Sequence, residues 1–316
     1  MPTMDVGIPN YNYGRYLRQC VSSVLRQEMS DLRIIIIDNA STDDSLKIAN
    51  ELAAADSRVH VIAHRSNLGL LQSMNELIDW ASSKYFLWVC ADDLIPQGWL
   101  GQVLPVMEKD PNVVLALGRT IHFAGETPPF SDGSPPPSAR WKIMPGGQFI
   151  SRECATLHQG RLNSNFNIVR TSALKQLGRV YIEKRVDYEM MIRIASLGAV
   201  AQTGMPHGYW RRHGVTMNDT MALIERMVSL LRVYETFFDR EGRSMPQAER
   251  LHKTARRSVA AIAYWAAVAR LLSGNFAESA NIFRFAFEVS NSLAWIPPLD
   301  FLPQRVKDRF RRIRAT

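Results

Sequence analysis

The sequence predicts an α/β fold in which a doubly wound, mostly parallel sheet is followed by a C-terminal helical region. In the first part of the chain, apolar runs alternate with segments of helical periodicity, which is the pattern of repeated strand–helix units. The run IIII at 34–37 has no polar alternation, as expected of a parallel strand covered on both faces. From Met217 onward the pattern is helical up to a basic end.

The predicted elements follow one another in a regular order. Strands are predicted at Met4–Ile8, Leu32–Ile37, Val59–Ala63, Tyr85–Val89 and Val113–Leu117, with helices between them. Six prolines and four glycines in 124–148 then predict a long loop of the kind that serves as a lid or binding loop. A second α/β stretch at 151–213 precedes helices at 219–239, 247–273 and 276–289, so we expect one domain at 1–215 and a helical region at 216–316.

The composition is that of an ordinary globular protein, with 316 residues of which 46% are apolar and 22% charged. Cys20, Cys90 and Cys154 are far apart and form no CxxC pair, which favours a reducing compartment over a disulfide framework. No signal peptide is recognised, and the most apolar segment, Val259–Ala269, is too short to span a bilayer. We therefore predict a cytoplasmic location.

The net charge of +8 is concentrated at one place, since Arg305–Arg314 carries six basic residues and one acid. A local basic tail argues against nucleic-acid binding by the whole surface, and no nucleic-acid partner is predicted. Val306, Phe310 and Ile313 lie among these basic residues, so the tail could hold the protein peripherally on the inner face of an anionic membrane. The alternative is a solvated helix end.

Polar residues follow four predicted strands at the points where the strands end. They are Pro9–Asn12, Asp38–Asp43, Asn67–Gly69 and Asp92–Asp93. Ligands of open parallel sheets lie beyond the carboxyl ends of the strands, so we expect these four groups to form one binding edge.

The pair Asp92 and Asp93 is a candidate cation site. The chain has no GxxxxGK[ST] motif and no GxGxxG motif after the first strand, so a phosphate cradle of glycine amides is not expected. A bound diphosphate then needs another counter-charge, and adjacent carboxylates can supply it by holding Mg²⁺ or Mn²⁺. The alternative is a surface turn stabilised by two acids.

Taken together, four segments resemble the family 2 glycosyltransferases of the GT-A fold. They are IPNYNYGRYLRQCVSSVLRQ, IIIDNASTDDS, NLGLLQSMNELIDWA and YFLWVCADD, in the order and spacing of the family, over about residues 4–95. Weaker matches extend to about residue 215. The resemblance implies a GT-A-type sheet in residues 1–215 and an inverting transfer from a nucleotide-sugar donor.

The resemblance also implies a donor site. Pro9 and Tyr11 match residues that line the nucleotide base, and Asp38 matches a residue that hydrogen-bonds the base. That base is usually uracil, which favours a UDP-sugar. Asn67, in the third segment, is assigned to the same donor site.

Metal binding is implied by the match to the end of the family's DxD motif, which contacts ribose and metal. Asp93 is the predicted metal ligand and Asp92 the donor contact, whereas the first aspartate of the motif is Cys90 here. The segment YWRRH is similar to a family segment whose histidine approaches the metal and diphosphate, which makes His213 a second predicted ligand. Arg211 or its neighbour is predicted to offset the diphosphate charge.

A candidate general base lies in VDYEMMIR at 186–193, which is similar to the family's ED-x-x-L-x-x-R segment. Val186 replaces the glutamate, and Asp187 retains the aspartate that is the general base in the family. An inverting transfer needs a carboxylate opposite the leaving diphosphate to remove the proton of the acceptor hydroxyl. Glu189 is the fallback base, and the alternative for Asp187 is that it merely starts a helix.

We therefore predict a metal-dependent hexosyl- or related glycosyltransferase that uses Mn²⁺ or Mg²⁺. The expected acceptor is a glycan or a lipid-linked molecule, in bacterial surface polysaccharide synthesis. One alternative is a catalytically degenerate nucleotide-sugar or glycan binding module, which Cys90 and Val186 favour. A nucleic-acid-binding protein and a nucleotidyltransferase are the others, although no glycine-rich phosphate loop follows the first strand.

Overall fold

The computed structural model describes residues 2–128, 140–157, 164–213 and 221–290, together with 297, 298 and 301. The chain divides into two compact units, one of residues 1–149 and 161–216 and one of residues 150–160 and 217–316. The sequence-based division after residue 215 placed 150–160 in the first part, whereas these residues cluster with the helical unit. Hydrogen bonds explain the difference, because Tyr234 Oη donates to the Glu153 carbonyl (3.1 Å) and Ser258 Oγ to the Ala155 carbonyl (3.2 Å).

Eight strands form one sheet within the described residues of the first unit. They are β1 Met4–Asn10, β2 Leu32–Asp38, β3 Val59–Ala63, β4 Tyr85–Trp88, β5 Val113–Ala124, β6 Trp141–Pro145, β7 Ile168–Arg170 and β8 Ala199–Arg212. Their order is β3-β2-β1-β4-β7-β5-β8-β6. Strands β1 to β4 pair in parallel, as do β5 and β8, while β7 and β6 run antiparallel to their neighbours. The predicted α/β class with a mostly parallel sheet is confirmed.

Helices alternate with most of the strands along the described part of residues 14–195. They are α1 Gly14–Leu25, α2 Ser45–Ala55, α3 Gly69–Trp80, α4 Trp99–Lys109, α5 Gly146–Thr156, α6 Thr171–Leu177 and α7 Val186–Ala195. Helix α1 forms as its apolar stripe predicts and buries Leu17, Val21 and Val24. Helix α3 approaches β1 so closely that a Cβ on Gly7 would lie 2.8 Å from Leu77 Cδ2, so any larger residue there would require the Leu77 side chain to shift.

The register of the parallel strands places the strand ends side by side. Asn10 at the end of β1 lies opposite Asp38 at the end of β2, and Asp38 lies opposite Ala63 at the end of β3. The polar segments that follow these strands therefore leave the sheet at a common edge, as the sequence predicts.

The second unit contains three long helices: α8 Leu223–Asp239, α9 Ala248–Leu272 and α10 Phe276–Ser290. Buried Ala263 and Ala267 of α9 pack in one cluster with Ile282 and Ala286 of α10. Among the described residues, no helix has both the length and the apolar character that crossing a bilayer requires. The predicted membrane-binding tail, Arg305–Arg314, lies outside the described residues.

The predicted loop at 124–148 is partly wrong. Residues Trp141–Pro145 form β6, which pairs antiparallel with β8 at the edge of the sheet, and α5 starts at Gly146. Proline-rich composition hides this strand, because Pro145 occupies the end of an edge strand, where the missing N–H is tolerated. Residues 129–139 of the predicted loop lie outside the described part of the chain.

Candidate active site

Side-chain hydrogen bonds join the ends of β1 and β2. The carboxylate of Asp38, which is 1% exposed, accepts bonds from Asn10 Nδ2 (2.8 Å), Ser41 Oγ (2.6 Å) and the Ser41 N–H (3.0 Å). All three partners are donors, so the protein itself compensates this buried charge. Asn10 Oδ1 remains buried without a hydrogen-bond partner in the described part of the chain.

The loops that follow these two strands hold strained residues. Asn12 and Ala40 both have φ of 59°, in the left-handed region that non-glycine residues rarely adopt. Asn12 is held there by its contacts: its Oδ1 accepts the Thr42 N–H (2.7 Å) and its own N–H donates to Ser41 Oγ (2.9 Å). Each such residue costs about 1 kcal/mol or more, and strain of this kind is concentrated at functional sites.

The end of β3 is tied to the same edge by His64. Its Nδ1 lies 2.9 Å from Asn39 Oδ1 and its Nε2 lies 2.7 Å from Glu76 Oε2. Asn39 Oδ1 also accepts the Leu68 N–H (2.8 Å), and Asn39 Nδ2 donates to Asn67 Oδ1 (2.8 Å). The predicted donor residue Asn67 is therefore positioned by a chain of contacts that begins on α3. We refer to Asn10, Asp38, Asn39, Ser41 and Asn67 as the donor cradle.

The end of β4 carries what we call the acidic group: Cys90, Asp92 and Asp93. Cys90 Sγ and one carboxylate oxygen from each aspartate lie within 4.8 Å of one another. Burial raises the pKa of Asp93 well above its usual range, and the charge of Asp92 raises it further. Burial also raises the pKa of the Cys90 thiol, with the charges of Asp93, Asp92 and Asp187 adding to the effect.

A divalent cation fits the acidic group. Asp93 is fully buried, and its Oδ1 accepts the Arg211 N–H (2.9 Å), but its Oδ2 is buried without a hydrogen-bond partner among the described residues. A buried polar atom left in this state costs about 1–3 kcal/mol. Coordination to a cation would remove that cost, and carboxylate oxygens are the ligands that Mg²⁺ and Mn²⁺ prefer.

Arg211 braces the acidic group from inside the protein. It is 1% exposed, its Nε donates to the Asp92 carbonyl (2.9 Å), and its Nη2 donates to Gln19 Oε1 (2.6 Å). Its guanidinium carbon lies 4.6 Å from the centre of the Tyr16 ring. The guanidinium of Arg211 is thus bound by groups within the protein, whereas the neighbouring Arg212 is exposed.

His213 lies beside the acidic group. Its Nε2 is 2.8 Å from Asp92 Oδ2, and its ring packs against Tyr13 (5.5 Å between ring centres) and Tyr16 (5.2 Å). In this arrangement His213 orients the Asp92 carboxylate. Its direct contact with a metal stays a prediction.

Asp187 and Glu189 share the first turn of α7 but have different surroundings. Glu189 is 1% exposed, accepts the backbone N–H groups of residues 181 and 182, and pairs with Arg193 Nη1 (2.9 Å). Asp187 is half-buried, and its charge is one of those that raise the pKa of Cys90. Glu189 therefore anchors α7, while the charge of Asp187 reaches the acidic group.

The remaining predicted donor residues lie at the same edge. Pro9 is buried in β1, and Tyr11, just beyond it, is 43% exposed. His64 and Asn165 were missed from the sequence, because they act through partners distant in the chain. Asn10 and Asn39 were predicted only as members of the binding edge, and Arg211 was predicted to offset the diphosphate charge, whereas its contacts here are within the protein.

The chain is similar to known proteins in sequence and in fold. A model of glycosyl transferase family 2 matches residues 5–177. An uncharacterized glycosyltransferase of Haemophilus influenzae is 30% identical over 125 residues, or 40% of this chain and 38% of that protein. The chondroitin synthase of Pasteurella multocida is 25% identical over 201 residues, or 63% of this chain and 19% of that protein. The matched parts are thus well under two thirds of these relatives.

Solved structures match nearly the whole chain. TarS 1–349 from S. aureus in complex with UDP-GlcNAc has a TM-score of 0.59 at 16% identity, covering 92% of this chain and 91% of that one. Mannosyltransferase PcManGT from Pyrobaculum calidifontis in complex with GDP-Man and Mn²⁺ has a TM-score of 0.56 at 15% identity, covering 93% and 87%. These likenesses confirm the predicted GT-A fold. Because the family model covers more than half of its residues, the chain belongs to glycosyl transferase family 2.

Proposed function

We propose that the chain transfers a sugar from a nucleoside-diphosphate donor to a hydroxyl acceptor, with inversion and with the help of a divalent cation. The observation that carries this proposal is the acidic group, in which a buried carboxylate oxygen lacks a hydrogen-bond partner among the described residues. Family membership supports the transfer chemistry. The similar structures TarS and PcManGT were solved with UDP-GlcNAc and with GDP-Man and Mn²⁺.

The donor cradle is the proposed site for the nucleoside, with a UDP-sugar favoured. Tyr11 exposes an aromatic ring that a base could cover, next to the buried Pro9. Asp38 already accepts three hydrogen bonds, so we assign it to holding Asn10 and Ser41 in place beneath the base.

Asp93 and Asp92 are the proposed ligands of Mn²⁺ or Mg²⁺. When bound, the cation offsets the charge of the departing nucleoside diphosphate. His213 orients the Asp92 carboxylate through its Nε2, while Arg211 donates its Nε–H to the Asp92 carbonyl and its backbone N–H to the Asp93 carboxylate. His213 and Arg211 thus hold the proposed ligands Asp92 and Asp93 in place and leave the other carboxylate oxygen of each available to the cation.

Asp187 is the proposed general base. Its carboxylate takes the proton of the acceptor hydroxyl as that oxygen attacks the anomeric carbon, a contribution typically worth about 10²–10⁴-fold in rate. Glu189 is the weaker candidate, because both of its oxygens accept backbone N–H groups and it pairs with Arg193.

The proposed acceptor is a glycan or a lipid-linked molecule of a bacterial surface polysaccharide. Chondroitin and hyaluronan synthases of Pasteurella multocida are among the relatives. We further propose that Arg305–Arg314 binds anionic membranes, with about 1 kcal/mol from each basic residue near the surface. Equal sedimentation with anionic vesicles by the full chain and by a chain ending at Pro303 would refute the role of the tail.

The test of the proposed function is a panel of nucleotide sugars with Mn²⁺, screened first by thermal shift and then by release of nucleoside diphosphate. We expect one class of donor to raise the melting temperature in a metal-dependent way and to be turned over. Binding without any turnover, with acceptor glycans present, would favour a binding module. No binding by any nucleotide sugar would refute the proposal.

A further inference from the structure

Cys90 contributes a sulfur atom to a group that otherwise holds only carboxylates. Its Sγ lies within 4.8 Å of ligand oxygens from both Asp92 and Asp93, and its side chain is half-buried, whereas Cys20 and Cys154 are buried. Asp93 Oδ2 is fully buried and without a hydrogen-bond partner among the described residues, so this oxygen is available to a cation. Three potential ligands thus come from one short segment after β4.

The surroundings of Cys90 present its sulfur as an acceptor. Asn165 Nδ2 donates to Cys90 Sγ (3.3 Å). The neighbouring Cys20 thiol donates to the Cys90 carbonyl (3.4 Å) and so does not compete for the Cys90 sulfur. A sulfur held by an amide donor and facing two carboxylates is arranged like a ligand of a cation.

We propose that Cys90 is a metal ligand and that it makes the site prefer a thiophilic divalent transition-metal ion over Mg²⁺. This inference rests on the proposed function only in taking the acidic group as the cation site. Thiolate is a soft ligand that Mg²⁺ does not favour, and one thiolate with two carboxylates leaves open positions for donor oxygens. The thiol proton is released to solvent as the sulfur–metal bond forms.

The test measures metal binding by the full chain, with Cd²⁺ as the soft probe and Mg²⁺ as the hard one. Calorimetry gives the two dissociation constants, and near-ultraviolet absorption reports a sulfur-to-cadmium charge-transfer band. The variants are Cys90→Ser, which keeps the size of the side chain, and Cys90→Asp, which makes the site all-carboxylate. Cys154→Ala is the matched control, since it removes a thiol from the other unit.

We expect the wild type and Cys154→Ala to bind Cd²⁺ with the charge-transfer band. Cys90→Ser should lose the band and weaken Cd²⁺ binding about 10–100-fold, while Mg²⁺ binding changes much less. Cys90→Asp should lose the band and bind Mg²⁺ more tightly. An unchanged ratio of Cd²⁺ to Mg²⁺ affinity in Cys90→Ser would overturn the role of the thiol and leave the proposed function intact. Failure of the wild type to bind any divalent ion would overturn both.

Discussion

The donor cradle and the acidic group occupy the same sheet edge but are built in opposite ways. In the cradle, Asp38 accepts three hydrogen bonds and its charge is compensated by the protein. In the acidic group, Asp93 accepts one backbone N–H, and its Oδ2 has no hydrogen-bond partner among the described residues. The hydrogen-bonding needs of Asp38 are thus met by the fold itself, while Asp93 keeps one buried oxygen to which no described residue donates.

This difference indicates that two buried aspartates at strand ends need not share a role. Asp38 accepts hydrogen bonds from Asn10 and Ser41, and these bonds fix the loops and preorganise the donor cradle. Asp93 retains capacity for a ligand at a cost to the metal-free protein. Replacing each aspartate by asparagine removes the charge alone and should therefore have different effects at the two positions.

The largest expected effect is that of Asp93→Asn on transfer. Loss of the carboxylate should abolish metal-dependent donor binding and turnover, because a cation contributes several kcal/mol of charge stabilisation. Without metal, the variant should be as stable as the wild type or more stable, because burial disfavours the charged form of Asp93, as its raised pKa indicates. Assays of turnover and of thermal unfolding in chelator check both arms, and full turnover would contradict the metal role.

The next effect distinguishes the two acids of α7. Asp187→Asn should lower turnover by about 10²–10⁴-fold with donor affinity nearly unchanged. Glu189→Gln should instead destabilise the fold by up to about 3 kcal/mol, because Arg193 loses its buried partner. Steady-state kinetics and denaturant unfolding measure the two outcomes. A stable Glu189→Gln variant with lost turnover would move the base assignment to Glu189.

A smaller effect is expected for Asp38→Asn, whose effect on stability should be opposite in direction to that of Asp93→Asn. The new amide would turn a donor toward Asn10 Nδ2 or Ser41, so that bonds of the cradle are lost. We expect a loss of about 1–3 kcal/mol in the free energy of unfolding, together with weaker donor binding. Urea unfolding in the presence of chelator measures this loss. Equal changes in stability in Asp38→Asn and Asp93→Asn would contradict the difference drawn between the two aspartates.

The smallest expected effect is that of His64→Ala, which removes a support of Asn39 while leaving every residue of the donor cradle in place. Asn39 and Asn67 should lose their fixed orientation, raising the donor KM by roughly 3–10-fold with little change in kcat. His60→Ala is the control, because His60 is exposed on β3, the strand that ends just before His64. A fall in kcat at unchanged KM would assign His64 a different role.

Particular elements show how far the sequence could predict this molecule. Strands β1 to β4 were predicted within one or two residues, because each is predominantly apolar and is followed by polar residues. Strand β6 was missed, since its five residues alternate in burial weakly and lie beside prolines. The position of Asp93 was predicted, but its unsatisfied oxygen depends on which donors surround it, and no local pattern encodes that. Arg211 was predicted to offset the charge of a diphosphate. The residues beside it in the sequence do not reveal that its guanidinium is buried.

The hydrogen bonds that link Arg211 to Asp93 and to Gln19 have a consequence for folding during synthesis of the chain. Arg211 and Asp93 are 118 residues apart, and Arg211 and Gln19 are 192 apart, so these contacts form only after most of the chain has left the ribosome. The donor cradle, by contrast, is complete in the nascent chain as soon as α3 has emerged. A fragment that stops before β8 would therefore contain every residue of the donor cradle but lack Arg211, which holds Asp93 and the Asp92 carbonyl. Substitutions in β8 should accordingly disturb the acidic group and leave the hydrogen bonds of the donor cradle intact.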